Sequence, residues 1–409
     1  MMRALAAALV LFTSLAAHAA EVEPEEDAQE AVAVAPPILV PAFVDQAKQN
    51  AYNKALEAYK GREFPAFEYL GADALKVEAQ FVHDVRLGIE KLYQRDYKGS
   101  QTHFAGLAEK YPGTALAPMS EVLIAQAQMM ENFDFRQEAA YLAAHKRAVA
   151  ELETALQAPG NEAWENFMMA MALGLSSIHQ LRHEEYTTAL SQGQEAMKHV
   201  ESVKKLAPEF HDIRLAEGLF AYWSSSVALT TKAIPFTEDK RVEGITLVKQ
   251  VEGQGTFFRQ PASISLALIW LEEGRARDAV ISANKVARAY PSSVIAQMVL
   301  GRVHLQNGSY PEAERAFKSA QALNPENQRV NLSLGMTYMR WGKLTEADAA
   351  LDAYLAATDL SPENRGQALY VKGRVAQKRK DTRAAKKLYE EAWKEGKVKK
   401  AKERLEKID

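Results

Sequence analysis

His179 and His183 lie four residues apart. On a helix that spacing puts two imidazoles on one face, as a zinc pair requires. A zinc site needs three or four ligands, and only Glu184 and Glu185 are near in sequence, so the sequence alone assigns no metal. Gly253-Gln254-Gly255 precedes Thr256-Phe257-Phe258. A lone Gly-x-Gly is too little for a phosphate loop and reads as a turn between helices. Ser224-Ser225-Ser226 and Thr230-Thr231 fall on a helix that is expected to start near His211. With Tyr222, Trp223 and Phe236 they are candidates to line a small-molecule pocket through Ser226, beside an enlarged turn at Ile234–Thr237. The same small residues also suit close helix packing. Neither a Gly-x-Ser-x-Gly elbow, nor a phosphate loop, nor a zinc-protease helix motif occurs. No enzyme is expected and no cofactor is implied.

The residues that precede any folded element give an address. Arg3 starts a short positive region, Ala4 to Ala17 is apolar, and Ala17-His18-Ala19 fits a small-x-small cleavage site. Residues 1–19 therefore read as a secretion signal, cleaved near Ala19, that sends the chain to a bacterial periplasm or the medium. Residues 20–41 carry six acidic side chains, no basic one and four prolines, the composition of an unstructured linker. Beyond the signal no stretch is long and apolar enough for a membrane helix. The 409 residues carry a formal net charge of −3, which gives no field favouring nucleic acid. Without cysteine, stability must come from packing.

The elements that position these residues follow a repeat. Gly274, Gly308 and Gly342 are each 34 apart, as are Ala279, Ala313 and Ala347; Leu266, Leu300 and Leu334; Trp270, His304 and Tyr338; and Pro291 and Pro325. A fixed step of this size signals stacked helical hairpins. The Leu and the aromatic fill the gap between two helices. The Gly ends the first helix in a turn that tolerates positive φ, the Ala marks closest approach, and the Pro stops the second helix.

This pattern resembles the tetratricopeptide repeat. Val294–Asn327 carries Leu300-Gly301, His304, Gly308, Tyr310, Ala313, Phe317, Ala320 and Pro325 at the family's spacing. Flanking copies read as 260–293, 328–361 and 366–399, and an early copy, Phe81 to Thr114, has Arg95-Asp96 where the turn Gly is expected. Degenerate or elongated pairs fill 81–258, with Leu173-Gly174 and Ala189 marking one. Capping helices are expected over 42–80 and a basic helix end over 400–409. The resemblance implies an all-α fold: a right-handed superhelical solenoid of about eight antiparallel helix pairs, irregular in the middle.

In that family the first helix of each pair lines a concave groove. Carried over, the groove candidates are Met298, Arg302 and Gln306, then Arg329, Met336 and Arg340, then Tyr370, Arg374 and Lys378. They include five basic residues and no acidic one, with methionines that adapt to varied partners, and Arg forks suit carboxylates. The family's carboxylate-clamp pattern of paired Lys and Asn is absent. From Arg365 to Asp409 there are 16 Lys or Arg against 7 Asp or Glu, so the local field is positive. The expected function is a non-catalytic scaffold of the cell envelope that binds a protein or peptide partner, an acidic one fitting best. The competing expectation is a solute-binding accessory of a transport system that uses the middle pairs.

Overall fold

The computed structural model describes residues 46–158, 160–183, 185–231, 238–358 and 360–408. The stretches read as a secretion signal (residues 1–19) and an acidic linker (residues 20–41), and Phe236, lie outside the described residues. Among these the chain is all-α, with nineteen α-helices paired in hairpins and no strand. The described residues up to Met129, with Phe135–Tyr290, form one compact unit; Met130–Asp134 and the chain from Pro291 onward form the second.

The second unit contains the regular hairpins. To follow chain order, the first unit's helices are numbered α1 Gln46–Glu57, α2 Ala66–Leu75, α3 Ala79–Tyr93, α4 Tyr97–Lys110, α5 Leu116–Asn132, α6 Glu138–Ala155, α7 Glu162–Arg182, α8 Tyr186–Leu206, α9 Arg214–Thr231, α10 Arg241–Gln254, α11 Arg259–Glu272 and α12 Ala276–Ala289. The second unit follows with α13 Val294–Gln306, α14 Tyr310–Leu323, α15 Arg329–Trp341, α16 Leu344–Leu355, α17 Pro362–Lys378, α18 Thr382–Gly396 and α19 Lys399–Ile408. Ser293 and Ser361 cap α13 and α17 by accepting the backbone N–H of Ala296 and Asn364.

Each regular hairpin is drawn together at one point. A Cβ added to Gly301 on α13 would stand 2.6 Å from the ring of Phe317 on α14. The same register recurs at Gly335 against Leu351 and at Gly373 against Tyr389. One turn along the second helix, Ala313, Ala347 and Ala385 are fully buried. The missing side chain on one helix admits the large one on the other, so the hairpin closes with little void.

The turn that follows the first helix is left-handed whichever residue fills it. Gly308 has φ 72° and Gly342 φ 83°, while Lys380 holds φ 63° at the equivalent place after α17. In the first unit Gly274 (φ 65°) and Arg95 (φ 67°) do the same after α11 and α3. The early copy thus keeps the turn without its glycine. It also keeps the close approach: Gly88 meets Phe104, and fully buried Ser100 donates its hydroxyl to the Gly88 carbonyl at 2.9 Å.

The middle hairpins of the first unit are longer and bury polar side chains such as Asn166, Ser177 and His179. Helices α7 and α8 have 21 residues each. Their contact is made at Ser177, whose hydroxyl donates to the Ala189 carbonyl at 2.7 Å, and no described residue lies within 4 Å of a Cβ at Gly174. A short 3-10 turn, His211–Ile213, precedes α9, and α9 crosses α10 at Gly218 and Gly244, each of which would drive a Cβ into the other's carbonyl. Phe81, Trp164, Phe167, Phe210 and Phe257 join edge to face in the core, with centroids such as 4.8 Å for Phe81 and Trp164.

The Gly253–Phe258 segment has an internal anion. The buried Asp212 carboxylate accepts the backbone N–H groups of Thr256, Phe257 and Phe258 at 2.6, 2.7 and 2.6 Å. Burial pushes this carboxyl up and the three N–H groups pull it back, with burial the larger effect. The donors that a phosphate would need are already used by Asp212, which pins the start of α11 to the turn before α9.

Three expectations follow, each read by chemical denaturation of the purified chain. Gly301→Ala should destabilise by about 1–2 kcal/mol, because overpacking against Phe317 outweighs the gain in helix propensity. Lys380→Gly should stabilise by about 0.5–1 kcal/mol by removing a left-handed lysine. Asp212→Asn should cost about 1–3 kcal/mol, because an amide nitrogen or a single oxygen faces donors that the carboxylate satisfied.

Candidate protein-binding face

The groove candidates all fall on α13, α15 and α17, the first helices of the regular hairpins. In the register set by Gly301, Gly335 and Gly373, Arg302, Met336 and Arg374 hold equivalent positions on successive helices, as do Gln306, Arg340 and Lys378. The structure sets many of them deep. Arg329, Met336, Tyr370 and Arg374 are buried, whereas Met298, Arg302, Gln306, Arg340 and Lys378 are half-buried. The Tyr370 ring lies 5.8 Å from that of Tyr389. Arg329 donates Nη1 to the Asn364 Oδ1 at 3.1 Å, and its guanidinium sits 5.1 Å over the Phe133 ring.

That last contact belongs to a cradle the sequence did not reveal. Asn324 donates Nδ2 to the Asn132 Oδ1 at 2.7 Å and also bonds the Glu131 carboxylate; Asn327 donates to the Glu131 backbone carbonyl at 2.8 Å. Two amides and a guanidinium at the junction of α14 and α15 thus hold Glu131–Phe133. Asparagine at a helix end reads as a cap, and no periodicity links it to a segment about 190 residues earlier.

Charge divides sharply between the two layers of the unit. Helices α13, α15 and α17 carry seven Lys or Arg and one Glu. Helices α14, α16 and α18 carry six Lys or Arg against eight Asp or Glu. Some first-layer cations are used between layers: Lys372 pairs with Asp352, and Arg365 with Glu395 at 3.0 Å. The Tyr338 hydroxyl donates to Glu314 at 2.8 Å, and burial and that carboxylate push the phenol up.

The other predicted residues have different surroundings. Tyr222 is fully buried and donates its hydroxyl to the Glu273 Oε1 at 2.8 Å. Glu273 also accepts Arg241 Nη1 at 3.2 Å, and Arg241 reaches Asp239 at 2.8 Å. Burial and Glu273 raise the Tyr222 phenol. Trp223 is buried with its ring 4.8 Å from that of Tyr222, and Ser226 is half-buried. Tyr222, Arg241 and Glu273 form a polar network that ties α9, α10 and the end of α11 together, with Trp223 packed beside it. A separate apolar cavity is bounded by Val85, Phe104, Met119, Trp164, Phe167 and Phe257; with Ser120 its one polar liner, it offers little to orient a polar solute. His179 and His183 do converge, on Glu138 of the preceding helix. Among the described residues no helix is long and apolar enough to cross a membrane.

Residues 264–328 and 298–364 match the family model described as tetratricopeptide repeat. Among solved structures, a tetratricopeptide repeat protein from Parabacteroides merdae is similar at 15% identity, over 69% of this chain and 98% of its own, with a TM-score of 0.41. The Cut9–Hcn1 hetero-tetramer of APC/C is similar at 13%, over 85% and 82%, at 0.32. The P58(IPK) TPR domain is similar at 12%, over 80% and 97%, at 0.26. No curated protein matches the chain. The 34-residue step, the left-handed turn, the buried alanine and the family match coincide on one stretch, residues 264–364, which is similar to tetratricopeptide repeats.

Proposed function

We propose that the chain is a non-catalytic scaffold of the bacterial cell envelope that holds a partner protein or an acidic peptide segment on the α13–α15–α17 face. The observation that carries this reading is the charge division: seven cations and one carboxylate on the first helices of the regular hairpins. Tetratricopeptide repeats generally mediate protein–protein interaction, and this stretch matches that family. A face of Arg and Met at equivalent positions of successive helices can grip carboxylates with forks while methionines adapt to the intervening side chains. The partly sunken guanidiniums lose less side-chain freedom on binding than exposed ones would. Electrostatic complementarity of this kind speeds association and selects against basic partners.

The export reading rests on Arg3, the apolar stretch Ala4–Ala17 and the Ala17-His18-Ala19 site. The mature chain recovered from a bacterial host's periplasm should then begin at Ala20. A chain that stays in the cytoplasm with Met1 intact would refute the envelope address.

Binding is tested with Arg340→Glu combined with Lys378→Glu, both half-buried positions. The purified wild type, used as bait in envelope extract, should retain partners that the double variant loses. An acidic peptide derived from such a partner should bind the variant at least tenfold more weakly at low salt, a gap that narrows as salt rises. Identical partners and affinities for both baits, with circular dichroism showing both folded, would remove this face from the function.

A further inference from the structure

We propose that Glu138, His179 and His183 form a binding site for a divalent transition cation of the zinc class, which ties α6 to α7. Glu138 joins the His179–His183 pair from 41 residues earlier in the chain. Glu138 is the first residue of α6; His179 lies in the last turn of α7 and His183 at its end. His179 Nε2 is 3.0 Å and His183 Nε2 2.6 Å from the same oxygen, Glu138 Oε1. One ligand atom from each of the three lies within 4.8 Å of the other two.

The donor set is two imidazoles and a carboxylate, which selects zinc and its neighbours over calcium or magnesium, whose sites are built from oxygen. Tetrahedral zinc with ligands about 2.0–2.1 Å away needs them roughly 3.3 Å apart. The two separations from Glu138 are shorter, those of hydrogen bonds, so the carboxylate must withdraw by about 0.3 Å from His179 and about 0.7 Å from His183. The Glu138 and His183 side chains are 33% and 34% exposed, so Glu138 can withdraw toward solvent, while His179 is fixed at 2%. The fourth position therefore falls on the solvent side, where water completes the sphere.

The surroundings orient and tune these ligands. The Tyr141 ring lies 4.6 Å from that of His179, and the Phe135 ring 4.1 Å from that of His183. These walls exclude water from the inner side and hold the imidazoles in place. Burial, His183 and Arg182 disfavour a charged His179, whereas Glu138 favours it. The C-terminal end of α7 adds a favourable negative dipole near the cation. Two features limit the affinity. The Arg182 guanidinium, 4.4 Å over the Phe135 ring, is a nearby positive charge. His179 Nδ1 is buried without a hydrogen-bond partner, and such an outer partner is commonly worth about 10–100-fold in affinity. Binding in the low micromolar range is therefore expected, not the tighter binding of a closed four-ligand site. Because α6 and α7 belong to successive hairpins, the ion would fasten one hairpin to the next.

The test uses the untagged full chain, stripped with a chelator, and zinc alone as probe. Titration calorimetry and competition with a chromophoric chelator should show one zinc per chain, and saturating zinc should raise the melting temperature. Cobalt in place of zinc should give the visible absorption of a four-coordinate nitrogen and oxygen site. His183→Gln and Glu138→Gln should each weaken binding at least tenfold and abolish the thermal shift, while His304→Gln, on α13 of the other unit, should change neither. The proposal is overturned if wild type shows no saturable one-to-one binding up to millimolar zinc, or if both site variants, folded by circular dichroism, bind as wild type does. Two site variants at partly exposed side chains keep the comparison meaningful should one of them fail to fold.

Discussion

A helix can approach another helix closely only where one of them gives up its side chain. In the regular hairpins that concession is made at a single register, where Gly301, Gly335 and Gly373 face Phe317, Leu351 and Tyr389. The residues one turn before those large side chains, Ala313, Ala347 and Ala385, are buried to nothing. A large side chain filling the space over a glycine removes apolar surface from water and leaves no gap, which interiors of near-crystalline density require. Everything else in a hairpin is arranged around this pin. The left-handed residue after the first helix reverses the chain at the distance the pin sets, and the cap at Ser293 or Ser361 starts the next copy in phase.

That seam also decides where charge can go. A helix with one side committed to Gly and Ala packing and another to the next hairpin has a narrow stripe left for polar groups. On α13, α15 and α17 that stripe is almost wholly basic; the acids sit on α14, α16 and α18, where several neutralise cations reaching across. Exposed pairs of this sort contribute little to stability, about 0–1 kcal/mol each. Their consequence lies in what they leave behind: a face of one sign, set by a backbone whose spacing is fixed by packing and not by the charges themselves.

What the residues alone disclosed follows from the same physics. The 34-residue step was legible because glycine, alanine and proline are punctuation that acts within a few residues. It was legible even where the glycine is missing, since Tyr97, Phe104 and Tyr111-Pro112 keep the register around Arg95. Local patterning failed where a function is shared between distant residues. Leu173-Gly174 matched the repeat in letters, yet the contact is made at Ser177 and Ala189. The burial of Arg329 depends on Phe133, and Asn324 and Asn327 spend their amides on Glu131 and Asn132. The third group beside His179 and His183 was out of reach because Glu138 stands 41 residues before His179, one helix earlier, at a spacing that only the folded hairpins define.

The polar interior of the first unit then has a physical explanation. Where a strict repeat is kept, the seam is apolar and needs no partner. Where it is broken, helices lengthen and shift, and the space between them is filled by whatever side chains reach it. Asp212 takes three backbone N–H groups, Arg241 and Glu273 bind each other and Tyr222, and Glu138 binds two imidazoles. Each such group costs free energy to bury and returns it only when its partners are in place. Such clusters therefore fix the geometry of irregular hairpins more narrowly than apolar packing of the same volume would, since a displaced methyl loses little and a displaced carboxylate loses nearly everything. The same demand for partners makes these places suited to chemistry: a buried acid or imidazole that must be held by neighbours can also be held by an ion.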